Sequence, residues 1–502
     1  MFRKWFFLWI GLLPVICLQQ AAAQRPAASL PKMPAKLLQE DVRLLKKILE
    51  ANHPSLYWYT SKDSMDWYFY HTINSITDSL NEVAFKNKLA WLVARIRCGH
   101  TTVRFSKAYG RIAASYRYPQ FPLALKAWDD SLVVLGNAWQ KDTIFKKGTI
   151  ITSINGHSNR QLLDSIYQFI STDGYADNYK SQLISGNFPG WYKTIMGVDS
   201  IYTIGYIDST GHENLAEIKA YSPHADTTPQ KIKITALHKK VDRRLARKMR
   251  LLNKRMLLTD TAHSTAFMRI GTFSGGRLKP FFKRSFKTIQ KLQLKNLVID
   301  LRENGGGAVS NSIDLVQYLA RRPFKLGDSV VAMSRKFRYG RYIHPAWPYW
   351  LVMNLAAVKK KDGLVHFRHY EEHYFKPRKR VHFDGAVYII QGGLTFSAAT
   401  MAIATLKGQD NIMVTGEETG GGYYGNSAMH IPTIRLPYSG LQVSLPMYRL
   451  VIDRTHPKGH GVMPDLEIRP SSAAIREGKD LKLERIQELI QRGNHSAALY
   501  RD

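Results

Sequence analysis

Apolar residues recur three and four apart from Leu37 to about Arg97, as in Leu44, Leu45, Ile48 and Leu49 and again in Leu89, Leu92, Val93 and Ile96. That spacing lines one face of successive helices and predicts a small helical domain. The stretch HPSLYWYT (His53 to Thr60) interrupts it with a packed turn, and CGHTT (Cys98 to Thr102) closes it at a Gly-His junction leading into a short strand. From about Ala108 to Tyr221 the pattern changes to short β-rich runs: FPLAL (Phe121 to Leu125), SLVVLG (Ser131 to Gly136) and GTIITSING (Gly148 to Gly156), with an amphipathic helix around Gln161 to Ile170. From Ser264 to about Pro470 buried-type strands such as NLVIDL (Asn296 to Leu301) and AVYIIQ (Ala386 to Gln391) alternate with helices, the rhythm of an α/β layer fold. A terminal amphipathic helix is expected over Asp480 to Arg492, with Asp480 as its N-cap.

Between the β-rich and α/β blocks, Lys239 to Arg255 holds nine Lys/Arg in seventeen residues, with Val241, Leu245, Met249 and Leu252 spaced as an apolar stripe. A basic amphipathic helix follows, read first as a solvated connector and second as a contact for anionic lipid or polymer. The expected division of the chain is a signal peptide over 1–23, an N-terminal helical domain over 24–107 and a PDZ-like module over 108–225. A basic helical connector over 226–262, an α/β core over 263–470 and a C-terminal helix over 471–502 complete it. The PDZ-like reading rests on the strand, the tight Asn155-Gly156 turn and the helix that follow one another there. The fold class is multidomain α+β, and solenoid-period repeats are not found.

Composition sharpens this picture in two ways. The chain has 72 Lys+Arg against 39 Asp+Glu, a formal net charge of +33, so an anionic membrane, an acidic polymer or nucleic acid are the first partners to consider. Arg3 and Lys4, the apolar run Phe6 to Leu18 and the Ala21-Ala22-Ala23 site predict a cleaved export signal, which places the protein in the periplasm or cell envelope and makes nucleic acid an unexpected ligand. Only Cys98 then remains, so no disulfide is expected and an ordinary core must supply stability.

Two loops carry candidate chemistry. In LVIDLRENGGGAVSN, Gly305 to Gly307 lie between a strand and a helix, where backbone N–H groups are suited to hold a negative oxygen. It is no phosphate loop, because the Lys-Ser/Thr ending is missing. In QGGLTFSAATMAIA, Ser397 opens a helix of small residues, where an N-terminus favours an anion and the Ala398 N–H can donate to it; the alternative is an ordinary N-cap serine. HFRHYEEH places His366, His369 and His373 three and four apart, a spacing that suits metal ligands on a helix; the flanking lysines and arginines favour a cationic surface insertion, and no metal or cofactor is expected. Cys98 is read as a small buried thiol, although an extended backbone would bring it to the same side as His100.

DLRENGGG, TFSAA, GEETGGG (Gly416 to Gly422) and GVMPD, in this order and spacing, resemble the tail-specific, or carboxyl-terminal-processing, serine peptidases, in a branch with the tricorn core and the retinal retinoid-binding protein. The resemblance covers Ser264 to Pro470, and the helical start, GHT junction and PDZ-like segment match the family's usual order. It implies a ClpP/crotonase-like core, Ser397 as nucleophile, and an oxyanion hole from Gly305 or Gly306 with the Ala398 N–H. A Ser–Lys dyad is disfavoured, since no lysine lies between Lys407 and Lys458, and His100 matches the histidine base of the tricorn-like branch. Where that branch has an acid, this chain has Lys458, Gly459 and His460, which leaves Asp453 and Glu417 as third-member candidates. The implied function is an exported serine endopeptidase acting on peptides or unfolded proteins, with FPLAL as the candidate strand for capturing a substrate terminus. The alternative is a non-catalytic protein binding peptides or an apolar ligand on the same scaffold.

Overall fold

The strand Asn296–Asp300 is buried at all five positions, as a strand covered on both faces must be. It sits near the middle of a six-stranded sheet whose order is Leu466–Glu467, Ile412–Gly416, Ala386–Gln391, Asn296–Asp300, Thr265–Ile270 and Arg255–Asp260. All neighbours are parallel except the last pair. The register sets Leu297 beside Val387 and Ile299 beside Ile389, so apolar side chains form continuous rows across the sheet. Helices Val309–Gln317 and Ala398–Leu406 follow the two central strands, and the small residues of the latter allow the two helices to pack together. On the opposite face, Ile486 and Ile490 of the terminal helix Leu481–Leu499 cover Val298 and Ile390. Asp480 accepts from the Leu483 N–H, as an N-cap should, and also pairs with Arg302.

This computed structural model describes residues 31–115, 119–222 and 243–499. The signal segment and part of the basic connector, including Val241, lie outside the described residues. Lys32 onward forms one compact unit.

The three helices Ala35–Asn52, Lys62–Asn74 and Glu82–Ala94 appear as expected, but they have no core of their own. Leu38, Leu45, Ile48 and Phe85 join the same buried apolar cluster as Leu297, Ile299, Ile389 and Ala398. The helical start is therefore a structural layer of the α/β core. Two smaller antiparallel sheets extend that core, one built from Val358–Lys359, Val365–His366, Ser329–Ala332, Tyr448–Val451 and Gly425–Ala428.

The β-rich segment does own a core, with Phe121, Leu125, Ile151, Leu163 and Tyr202 at its centre. Its antiparallel sheet runs Leu123–Trp128, Ser131–Asn137, Ile150–Ile154, Ile201–Ile207, Glu213–Lys219. Asn155 and Gly156 both have positive φ (51° and 78°), the requirement of the predicted tight turn, and Ser158 with Gln161 forms a capping box on the helix Asn159–Tyr167. The edge of the strand Leu123–Trp128 is not open as FPLAL suggested. Helix Asp177–Gly186 packs along it, and the Ser185 hydroxyl accepts from the Ala127 N–H and donates to its carbonyl.

The basic helix is present as Arg243–Lys254, with Leu245, Met249 and Leu252 exposed, and the chain runs directly into the edge strand Arg255–Asp260 of the central sheet.

Candidate active site

Adjacent parallel strands present their following loops at the same edge of a sheet, which is where α/β folds place their sites. Here the loop after Asn296–Asp300 carries Gly305 to Gly307, and the loop after Ala386–Gln391 carries Ser397. Hydrogen bonds lock the two together: the Phe396 N–H donates to the Asn304 carbonyl at 3.0 Å, and the Thr395 hydroxyl donates to the Leu301 carbonyl at 2.9 Å.

Ser397 occupies the N-cap position of Ala398–Leu406 and does not cap it, since its side chain accepts no bond from the helix. Its backbone holds φ 53° and ψ −122°, outside the regions open to an L-residue without strain. Such a conformation persists only where the surroundings over-determine it, and it turns the side chain out of the helix and into the space between the loops. The surroundings are close. A Cβ on Gly306 would stand 2.8 Å from the Ser397 Cβ, and one on Gly421 would stand 3.0 Å from the Ser397 nitrogen and 2.3 Å from the Thr400 hydroxyl. Glycine is therefore required at both positions, and the GGG and GEETGGG motifs both end against the serine.

The backbone donors differ in one respect from expectation. The Gly306 N–H donates to Asn304 Oδ1 at 2.9 Å, and the Gly306 carbonyl accepts from the Phe273 N–H. Gly306 thus shapes the loop and is not free to bind an oxyanion. Gly305 is exposed, and Ala398 lies in the first helical turn, where N–H groups have no intrahelical acceptor.

His100 reaches the same place from the end of the helical layer. Its ring packs on Phe396, the residue before Ser397, with centroids 4.8 Å apart. A Cβ on Gly99 would meet the Phe396 ring at 2.5 Å, so this approach too depends on glycine. Among the described residues no hydrogen bond joins His100 to Ser397, and His100 Nδ1 is a buried nitrogen without a partner. Burial pushes the imidazole down to about 4, so it is neutral around pH 7.

Neither Asp453 nor Glu417 faces this histidine. Glu417 pairs with Lys482 at 2.5 Å and accepts from Gln182, while Asp453 accepts from Thr455 and lies 3.6 Å from His456. The acid that the structure brings to His100 is Asp173, whose carboxylate, one His100 ring nitrogen and the Cys98 sulfur all lie within 4.8 Å of one another. Asp173 is 2% exposed and accepts from the Gly99 N–H at 2.8 Å and the Gly422 N–H at 3.4 Å, so it ties the GHT junction to the GGG end of GEETGGG. Burial drives its carboxyl up to about 7, and burial with the nearby Asp173 drives the Cys98 thiol up to about 12, so Cys98 is a thiol at neutral pH and no nucleophile. The signal in the sequence was slight: Thr172-Asp173-Gly174 sits in a loop far from every motif. Its glycine is needed because a Cβ there would stand 2.5 Å from the Gly459 carbonyl oxygen.

The histidines of HFRHYEEH do not share a site. His366 is buried between Glu371 and Asp362 at 2.7 and 2.8 Å, whereas His369 and His373 stack on each other. Lys458 donates to the Trp58 carbonyl, and His460 lies 3.6 Å from Glu418, whose carboxylate also accepts from the Gly461 N–H.

The model of peptidase family S41 matches residues 264–468. Among solved structures, mature CPAF is 14% identical with a TM-score of 0.60, covering 91% of this chain and 96% of that one. A Ser-to-Ala mutant of CPAF is 12% identical with a TM-score of 0.61, covering 88% and 94%, and mature CPAF complexed with lactacystin is 13% identical with a TM-score of 0.59, covering 91% and 98%. At such identities these likenesses speak to the fold. No curated protein matches the chain. With residues 264–468 matching that family's model on this fold, the chain is a serine-type peptidase.

Proposed function

We propose that this peptidase is an exported endopeptidase acting on peptides or unfolded proteins in the periplasm or cell envelope, with Ser397 as nucleophile, His100 as base and Asp173 as the acid behind His100. The observation that carries the assignment is the strained, uncapped Ser397 held between two glycine loops beside Phe396 and His100. Ser397 Oγ attacks the scissile carbonyl carbon while His100 Nε2 takes its proton. The resulting oxyanion is held by the N–H groups of Ala398 and Gly305. Collapse breaks the C–N bond, and the leaving amine receives the proton from His100. Water, deprotonated by the same imidazole, then releases the acyl group from Ser397.

Asp173 enters through the charge that develops on His100. An imidazolium formed in a dry site is costly, and a carboxylate within 4.8 Å lowers that cost. The charge of Asp173 also helps to raise the hydroxyls of Tyr59 and Tyr179 and the Cys98 thiol.

The test is hydrolysis of an unfolded protein substrate, with products mapped by mass spectrometry. Wild type is expected to cleave it, and Ser397→Ala and His100→Ala to lose cleavage by at least about a thousandfold. Binding of the substrate without cleavage by the wild type would favour the ligand-binding alternative.

A further inference from the structure

We propose that the outward face of the helix Trp347–Ala356 is a docking surface for an anionic lipid membrane. The inward face of this helix is firmly seated. Tyr349 is 1% exposed, stacks on Phe337 with centroids 4.3 Å apart and donates its hydroxyl to the Ser334 carbonyl, while Met353 is fully buried and accepts from the Tyr448 hydroxyl. The opposite face should then be polar. It carries Trp347, Trp350, Leu351 and Leu355 instead, exposed by 71%, 52%, 43% and 79%. These positions lie three and four apart, so they form one apolar stripe.

The charge around this stripe selects its partner. From Met333 to Lys361 the chain has seven Lys/Arg (Arg335, Lys336, Arg338, Arg341, Lys359, Lys360 and Lys361) and no Asp or Glu, with Lys360 paired to Glu371 at 2.9 Å and Asp362 next in the chain. Tryptophan favours the boundary between hydrocarbon and headgroups, and lysine beside it reaches lipid phosphates with its ammonium while its stem covers apolar surface. A ten-residue helix is too short to span a bilayer, and no described helix is long and apolar enough to do so, so the helix lies in the plane of the interface. A second copy of this chain is disfavoured as the occupant, because the face would meet its own positive charge on a protein of net +33. An acidic polymer would satisfy the lysines and leave the tryptophans in water.

The experiment is co-sedimentation of the chain from Gln24 onward, which carries the whole compact unit, with vesicles of equal phosphatidylglycerol and phosphatidylcholine or of phosphatidylcholine alone. Wild type is expected to bind the anionic vesicles at least about tenfold more tightly than the neutral ones. The surface variants Trp347→Ser/Leu355→Ser and Lys359→Glu/Lys361→Glu are each expected to weaken that binding about tenfold or more while cleaving a soluble unfolded substrate within about twofold of wild type. Equal binding to both vesicle types, or wild-type binding by either variant, would overturn the proposal. So would light scattering that shows a wild-type oligomer dissociated by Trp347→Ser/Leu355→Ser, which would make the face a self-interface.

Discussion

Asp173 and His53 are two buried ionisable residues that hydrogen-bond to the GHT junction, and their effects on pH dependence differ in kind. In the proposed mechanism Asp173 acts on catalysis. Its carboxyl, pushed up to about 7, loses its charge as pH falls through that value, so kcat/KM should decline below about pH 7 with the support it gives to imidazolium. Asp173→Asn should lower kcat by roughly 10²–10⁴-fold with little change in KM, and should remove that acid limb. A variant that is merely less stable would keep the limb, so the pH profile distinguishes positioning from a structural role. His53 reports on stability. It accepts from the Ser55 N–H through Nδ1, and its Nε2 lies 2.8 Å from the Thr101 hydroxyl, next to His100 in the chain. Burial holds its imidazole down to about 3, below the ordinary 6.5, so the unfolded chain takes up a proton that the folded one refuses. Stability is then full above about pH 6.5 and is lost as pH falls towards 3, at about 1.4 kcal/mol per unit. His100 adds to this loss, and Asp173, raised in the folded state, opposes it between about 4 and 7. Thermal denaturation should show the midpoint falling from pH 7 to 4, with a shallower fall in His53→Gln.

At the scale of elements, the geometry depends on glycines placed where loops cross. Gly421→Ala would set a methyl against the Thr400 hydroxyl and the Ser397 nitrogen, and the turn that strains Ser397 would have to move. We expect at least a hundredfold loss of kcat with a midpoint of unfolding changed by only a few degrees, measured by kinetics and circular dichroism on the same preparation. These loops were legible in the sequence because four motifs in order resemble those of a known peptidase family; taken alone, the glycines would also suit a tight turn and Ser397 an N-cap. The Asn155-Gly156 turn was legible from its own two residues. Asp173 was not legible, because its role arises from a long-range crossing in which the β-rich segment returns to the core beside Arg97 and Gly459. The helix Trp347–Ala356 was not legible for another reason: its sequence is apolar on every side, and only the structure shows which face the described residues leave exposed. In HFRHYEEH the three- and four-residue spacing makes no shared face, since a strand residue, His366, and a five-residue helix, Arg368–Glu372, replace the single helix on which three histidines would align.

For the whole molecule, shared cores determine what unfolds together. The N-terminal helices and the α/β core bury their apolar residues in one cluster, while the segment centred on Phe121 and Leu163 has another. Leu45→Ala should therefore destabilise the peptidase core itself, by about 2–5 kcal/mol, although it lies some 350 positions from the serine in the chain. Leu163→Ala should affect chiefly the β-rich segment, and calorimetry should resolve the two as separate transitions. The central claim is that residues from three distant parts of the chain, Ser397, His100 and Asp173, form one catalytic centre. Labelling with a fluorophosphonate serine probe tests it most directly. Wild type should label, Ser397→Ala should not label at all, and His100→Ala and Asp173→Asn should label slowly, the former at least a hundredfold slower than wild type. Equal labelling of wild type and Ser397→Ala, or a His100→Ala variant that labels at the wild-type rate, would contradict it.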